Sequence, residues 1–107
     1  MSSFNEREEA FEKRFAADEA KNFKALARRN RLLGLWAAEL TGKSALEADA
    51  YAKEIVAAQV ERADDGALFE KLRAELSAAD VEMSDHRIRR KMEEMLAQAR
   101  RDIAAGR

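Results

Sequence analysis

Few side chains in this sequence can move a proton, hold a metal or attack an electrophile. The chain has one histidine, His86, and no cysteine, which excludes a thiolate nucleophile, a disulfide and a cysteine-ligated zinc. A hydrolase or transferase needs a nucleophile, a base or a metal cage. His86 is the one candidate base, and with no partner in the sequence it reads as an isolated surface residue near the start of the last helix. Asp64 and Asp65 are adjacent acids that invite a cation reading, but acids before a glycine are also what a turn between helices uses, and no cation-binding loop pattern surrounds them. The four glycines stand apart, so no phosphate-cradling motif exists. No catalytic, cofactor-binding or metal-ligating residue is therefore expected, and the chain is read as a non-enzyme.

Two basic clusters could track phosphates. Arg28-Arg29-Asn30-Arg31 is the denser, and a solvated or acid-paired helix face is the simpler reading of it. Arg87-Arg89-Arg90-Lys91 is followed at once by Glu93 and Glu94, which restores a mixed surface with i, i+4 pairs. With 20 basic against 21 acidic residues, the summed field is near zero. That balance argues against a nucleic-acid or anionic-membrane partner and for a protein one.

The residues that could recognise a protein lie at the N-terminus. The first twenty-five residues contain no Leu, Ile or Val, yet hold Phe4, Phe11, Phe15 and Phe23, four of the chain's five phenylalanines. At about 100° per residue, Phe4, Phe11 and Phe15 fall within an arc of roughly 40°. Glu6, Arg7, Glu8, Glu9, Glu12, Lys13 and Arg14 cover most of the remaining circumference. So narrow an aromatic edge holds a helix weakly to its own domain but suits docking into a groove on a partner, where aromatic anchors dominate the energetics. Phe4, Phe11 and Phe15 are the candidate anchors, and Arg7, Glu8, Glu12 and Arg14 the candidate rim contacts. The bland alternative is the first half of a long bundle helix.

The elements that must carry this edge are helical. At 107 residues without proline, and with few β-branched residues, the chain is one all-α domain. Nearly half of its apolar residues are alanine, so its helices must approach closely. A helical pattern runs from about residue 4 to Leu40, with Leu26, Leu33, Trp36 or Ala37, and Leu40 at core spacing, and stops at Thr41-Gly42. Ser44-Ala45-Leu46-Glu47 matches a capping box. The next stripe is Ala48, Tyr51, Ile55 and Ala58 or Gln59, widened by Ala52, Val56 and Val60, up to the break at Asp64-Asp65-Gly66. Leu68, Phe69, Leu72 and Leu76 mark a short third helix, and Ser84 caps a fourth carrying Ile88, Met92, Met95, Leu96, Ala99 and Ile103. Trp36 and the Met92, Met95 pair read as core. The expected architecture is a four-helix bundle over residues 21–107, with helices at about 21–41, 45–63, 66–79 and 85–104 in antiparallel order. A flexible or extended-helical arm, residues 1–20, precedes it. No basic segment leads into an apolar run, and no stretch reaches the roughly 20 apolar residues of a spanning helix, so a cytoplasmic monomer is expected.

Ser3-Phe4, Arg7-Glu8, Phe15, Asn22-Phe23, Ala27-Arg28-Arg29-Asn30, Leu32-Leu33-Gly34, Trp36-Ala37-Ala38, Leu40 and Gly42-Lys43 resemble the bacterial zeta subunit family. The resemblance extends through Ala50-Tyr51-Ala52 and Ile88-Arg89, Lys91-Met92 and is densest from residue 23 to 43. It implies inhibition of the F1 ATPase by an N-terminal segment that enters a catalytic α/β interface and blocks hydrolytic rotation, leaving synthesis largely free. The implied partners are the α and β subunits of F1, with the central stalk as a further contact, at the inner membrane but not inserted in it. The resemblance also carries weak adenine-nucleotide (ADP/ATP) binding, for which the residues offer no motif. A non-inhibitory helical adaptor and a small nucleotide sensor are the rival readings.

Overall fold

A computed structural model describes residues 3–107, with side chains from residue 5 onward. Four helices follow one another: α1 (Ser3–Leu40), α2 (Ala45–Glu61), α3 (Asp65–Ala78) and α4 (Asp85–Ala104). The starts of α2, α3 and α4 are fixed by the caps their sequences supply. Ser44 accepts from the Glu47 amide at 3.2 Å while Glu47 accepts from the Ser44 amide at 2.9 Å, the reciprocal pair that satisfies two otherwise orphaned donors. Asp64 accepts from the Gly66 and Ala67 amides, and Ser84 from the Arg87 amide. At the end of α1, Gly42 adopts φ +73°, and Lys43 N–H bonds back to the Ala38 carbonyl at 3.0 Å, which turns the chain in a left-handed conformation that glycine adopts without strain.

The helices run up, down, up and down. Gly34 meets Ala52 and Asn30 meets Gln59, so α2 descends along α1. Asp65 lies at Arg29 and Glu75 at Lys43, so α3 rises beside it. Lys91 lies over the Trp36 ring and Asp102 at Arg28, so α4 descends again. The largest contacts join α1 to α2 and α1 to α4, making α1 the spine. A Cβ placed on Gly34 would sit 2.7 Å from the Ala52 Cα. The alanine-rich composition thus has its expected consequence, two backbones nearly touching.

Leu33, Ala37 and Ala38 of α1, Tyr51 and Ile55 of α2, Leu68, Phe69, Leu72 and Leu76 of α3, and Ile88 and Met92 of α4 form one core. Trp36 and Met95 pack on its margin. Several expected core positions differ. Ala25, not Leu26, is the first buried residue of α1, because it and not its neighbour lies one turn before Arg29 on the inward face. Leu40 is 39% exposed at the last residue of α1, and Val60 is 64% exposed because it lies about 140° around α2 from Ile55, off the inward face. Gln59 takes the inward slot left open between it and Ala58, and Ala58 faces solvent. There is no break at residue 20: α1 is continuous from arm to bundle.

Candidate functional site

The described residues 5–24 are all exposed. Their helix continues α1 past the bundle for about 30 Å at 1.5 Å per residue, and the molecule is 65 Å long but only 26 and 24 Å in its other dimensions. Phe11 and Phe15 leave 67% and 58% of their surface in water. The two rings stack on one another with centroids 6.5 Å apart, an i, i+4 contact that lines them into one aromatic ridge. Arg7, Glu8, Glu12 and Arg14 flank the ridge, exposed. None of the ion pairs among the described residues involves a residue before Arg28. Phe23 is 50% exposed and lies roughly 120° around the helix from Phe11, off the ridge. Phe4 is helical in backbone, but its side chain lies outside the described residues.

The direction of the ridge is set by what happens further along α1. At about 100° per residue, Phe11 and Phe15 share their azimuth, within roughly 40°, with Arg29 and Leu33, two side chains buried between the other helices. The ridge is therefore the outward extension of the core stripe, lying beyond the level at which α2 and α4 end and α3 begins.

Four consecutive residues lock that azimuth, each to another helix. Arg28 Nε donates to Asp102 of α4 at 2.7 Å. Arg29, 2% exposed, sends both terminal nitrogens to the two carboxylate oxygens of Asp65 in α3, at 3.2 and 2.9 Å, and its Nε to Asn30. Asn30 donates to Gln59 of α2 at 3.2 Å, and Arg31 pairs with Asp49. The cluster is acid-paired, as its sequence allowed, but two of its members are core residues that polarity alone had not marked. Their signal was the spacing Ala25, Arg29, Leu33, Ala37, four residues apart on one face. The Arg28 guanidinium, then the Gln98 amide, hold the Asp102 carboxyl below the usual carboxylate range, because a hydrogen-bonded counter-charge favours the ionised form.

Asp64 and Asp65 are committed to the cap of α3 and to Arg29. Among the described residues no group of three or more His, Asp or Glu side chains converges on a point. His86 is exposed in the first turn of α4. No described helix is long and apolar enough to cross a membrane. What the chain presents is an aromatic ridge on the exposed N-terminal stretch of α1, held at a fixed angle by a braced bundle.

A family model described as ATPase inhibitor subunit zeta matches residues 1–102. A structure solved by NMR in solution is similar with a TM-score of 0.65 and 40% sequence identity, covering 79% of this chain and 96% of that one. Curated proteins gave no match.

Proposed function

The chain belongs to the ATPase inhibitor subunit zeta family, and from that premise we propose that it restrains the F1 sector of F1FO ATP synthase by inserting its N-terminal helix at a catalytic α/β interface. The observation that carries this reading is the pair of stacked rings, Phe11 and Phe15, more than half exposed on a stretch of α1 that is exposed throughout. Exposed aromatic surface in register along one edge is what a groove on a partner removes from water.

In this reading the rings are the apolar anchors, together with Phe4. Arg7, Glu8, Glu12 and Arg14 lie where the groove's rim would meet them and set orientation and rate of association more than affinity. A helix wedged between the two subunits holds their interface in one conformation, and hydrolytic rotation, which requires that interface to open and close, stops. The arm is helical but no other helix covers it, so part of the interaction energy goes into holding it helical on the partner. The braced bundle keeps the arm close to the enzyme and aimed. The protein works in the cytoplasm as a regulatory subunit, calls for no cofactor, and contacts the α and β subunits with the central stalk within reach.

The test is deletion of residues 1–17. The shortened chain is expected to lose inhibition of ATP hydrolysis by F1 while retaining the far-UV circular dichroism and thermal transition of the bundle. Full inhibition by the shortened chain would remove the arm from the mechanism, and collapse of the bundle would make the arm a structural element.

A further inference from the structure

Where α4 ends, it leaves a groove against α1. This space of about 350 Å³ is lined by Lys21, Asn22 and Ala25 on one side and Arg100, Ile103 and Ala104 on the other. We infer that this groove is a second seat for the ATPase whose other contact is the aromatic ridge, and that it receives the acidic end of a partner helix. The inference rests on the functional reading above and adds to it a contact made by the bundle itself.

Continuity with the packed interior supplies the first reason. α4 descends beside α1, with Asp102 at Arg28 and Ile103 and Ala104 at the level of Lys21 to Ala25. Asn22 lies on the same azimuth as Phe11 and Phe15, and about 10 Å separates it from Phe15 along the axis. A partner helix placed end to end with α4 would therefore lie along both rings, and its tip would rest on the groove. It would occupy the position α4 itself would take if it ran on, so one helix covers the ridge and the groove together. The apolar contribution of Ala25, Ile103 and Ala104 gives that tip a surface to pack on.

Charge supplies the second reason and specifies the occupant. Lys21, Lys24, Arg100 and Arg101 are exposed around the groove, and none of the ion pairs among the described residues involves any of them. Asp102, the acid nearest in sequence, is buried and bound to Arg28. Asp18 lies on the groove side of α1 one turn nearer the tip, with Glu19 beside it, and these two acids against the four bases leave a basic excess. The carbonyls at the end of α4 do not cancel this charge. Those of Arg101, Asp102 and Ile103 accept from Ala105, Arg107 and Gly106, with Gly106 at φ +76°, so the terminus is closed on itself. Carboxylates entering the groove would meet Lys21 and Arg100, with the Asn22 amide as a further donor.

The experiment uses the full chain and purified F1. Reversing both charges, Lys21→Glu with Arg100→Glu, is expected to raise the concentration giving half-inhibition of ATP hydrolysis at least 30-fold at low ionic strength. Most of that loss would fall in the association rate and diminish as salt is added, with circular dichroism and thermal unfolding unchanged. The milder Lys21→Gln with Arg100→Gln should lose about 5- to 10-fold, and Lys21→Arg with Arg100→Lys should inhibit like the parent. Parent-like inhibition by the reversed variant, alongside loss of inhibition in Phe11→Ala with Phe15→Ala, would overturn the groove and leave the functional reading standing. Parent-like inhibition by both would overturn the reading as well. A photo-crosslinking residue at position 22 should capture an F1 subunit within the inhibited complex; capture of a second copy of this chain, or of nothing, would overturn the assignment.

Discussion

Replacing Phe11 and Phe15 together by alanine separates binding from folding in a single variant. A phenylalanine hides on the order of 200 Å² when fully enclosed. With 67% and 58% of their surfaces still in water, the two rings each have roughly 120 Å² left to bury, about 3 kcal/mol apiece at ~25 cal/mol per Å². The sum is an upper bound, because ordering the side chains opposes association and truncation effects are not additive. An expected loss of about 3 to 4 kcal/mol corresponds to inhibition weakened by roughly 10² to 10³. In the free protein the same change removes one ring-to-ring contact and replaces two residues by a better helix former, opposing effects of about 0.5 kcal/mol each. Thermal unfolding should therefore shift by only a few degrees, ~4 °C at most. Steady-state hydrolysis titrations on F1, run beside thermal denaturation, read both numbers. Undiminished inhibition would strike the two rings from the site; a transition lowered by ten degrees would mean that they are part of the fold.

Further expectations test the frame that aims the ridge. Gly34→Ala would drive a methyl group to 2.7 Å from the Ala52 Cα, and thermal unfolding should register a net destabilisation of about 1 to 2 kcal/mol, overpacking exceeding the gain in helix propensity. Tyr51→Phe removes a buried hydroxyl that has no hydrogen-bond partner, so denaturant titration should find it neutral or more stable by up to about 1 kcal/mol. Burial, then the charges of Glu75 and Glu54, push the Tyr51 phenol up; the folded state favours its neutral form, and the parent should lose stability as pH rises above about 10, a loss absent in Tyr51→Phe. The Asp102 carboxyl is shifted the opposite way, so its contribution is intact above the ordinary aspartate value of about 4 and is lost as pH falls below it; Asp102→Asn should flatten that acid limb. Amide hydrogen exchange should be fast over residues 5–20, which are exposed throughout, and slow from Arg29 to Ala38, where α1 is enclosed.

Much of this molecule was written in local sequence. Ser44 with Glu47, Asp64 before Gly66, and Ser84 fix helix starts through hydrogen bonds that span three residues at most, and Gly42 fixes a stop through its own φ. Such interactions need no distant partner, so residue types suffice to find them. The aromatic edge was legible for the same reason: periodicity places Phe11 and Phe15 together on one helix, and the absence of Leu, Ile and Val nearby leaves them uncovered.

The aim of that edge was decided only by tertiary packing. Arg29 and Asn30 carry polar side chains that a hydrophobic pattern assigns to the surface, yet they are buried because Asp65 and Gln59, 36 and 29 residues away, arrive to satisfy them. Gly34 gains its meaning from Ala52 in the same way. The groove next to the ridge exists because α4 ends at the level of Lys21 to Ala25. A one-dimensional pattern records which face of a helix is apolar. Which helices cover that face, and where they stop covering it, depends on pairings between residues far apart in the chain, and that limit of coverage is what leaves the core stripe of α1 exposed as an aromatic ridge.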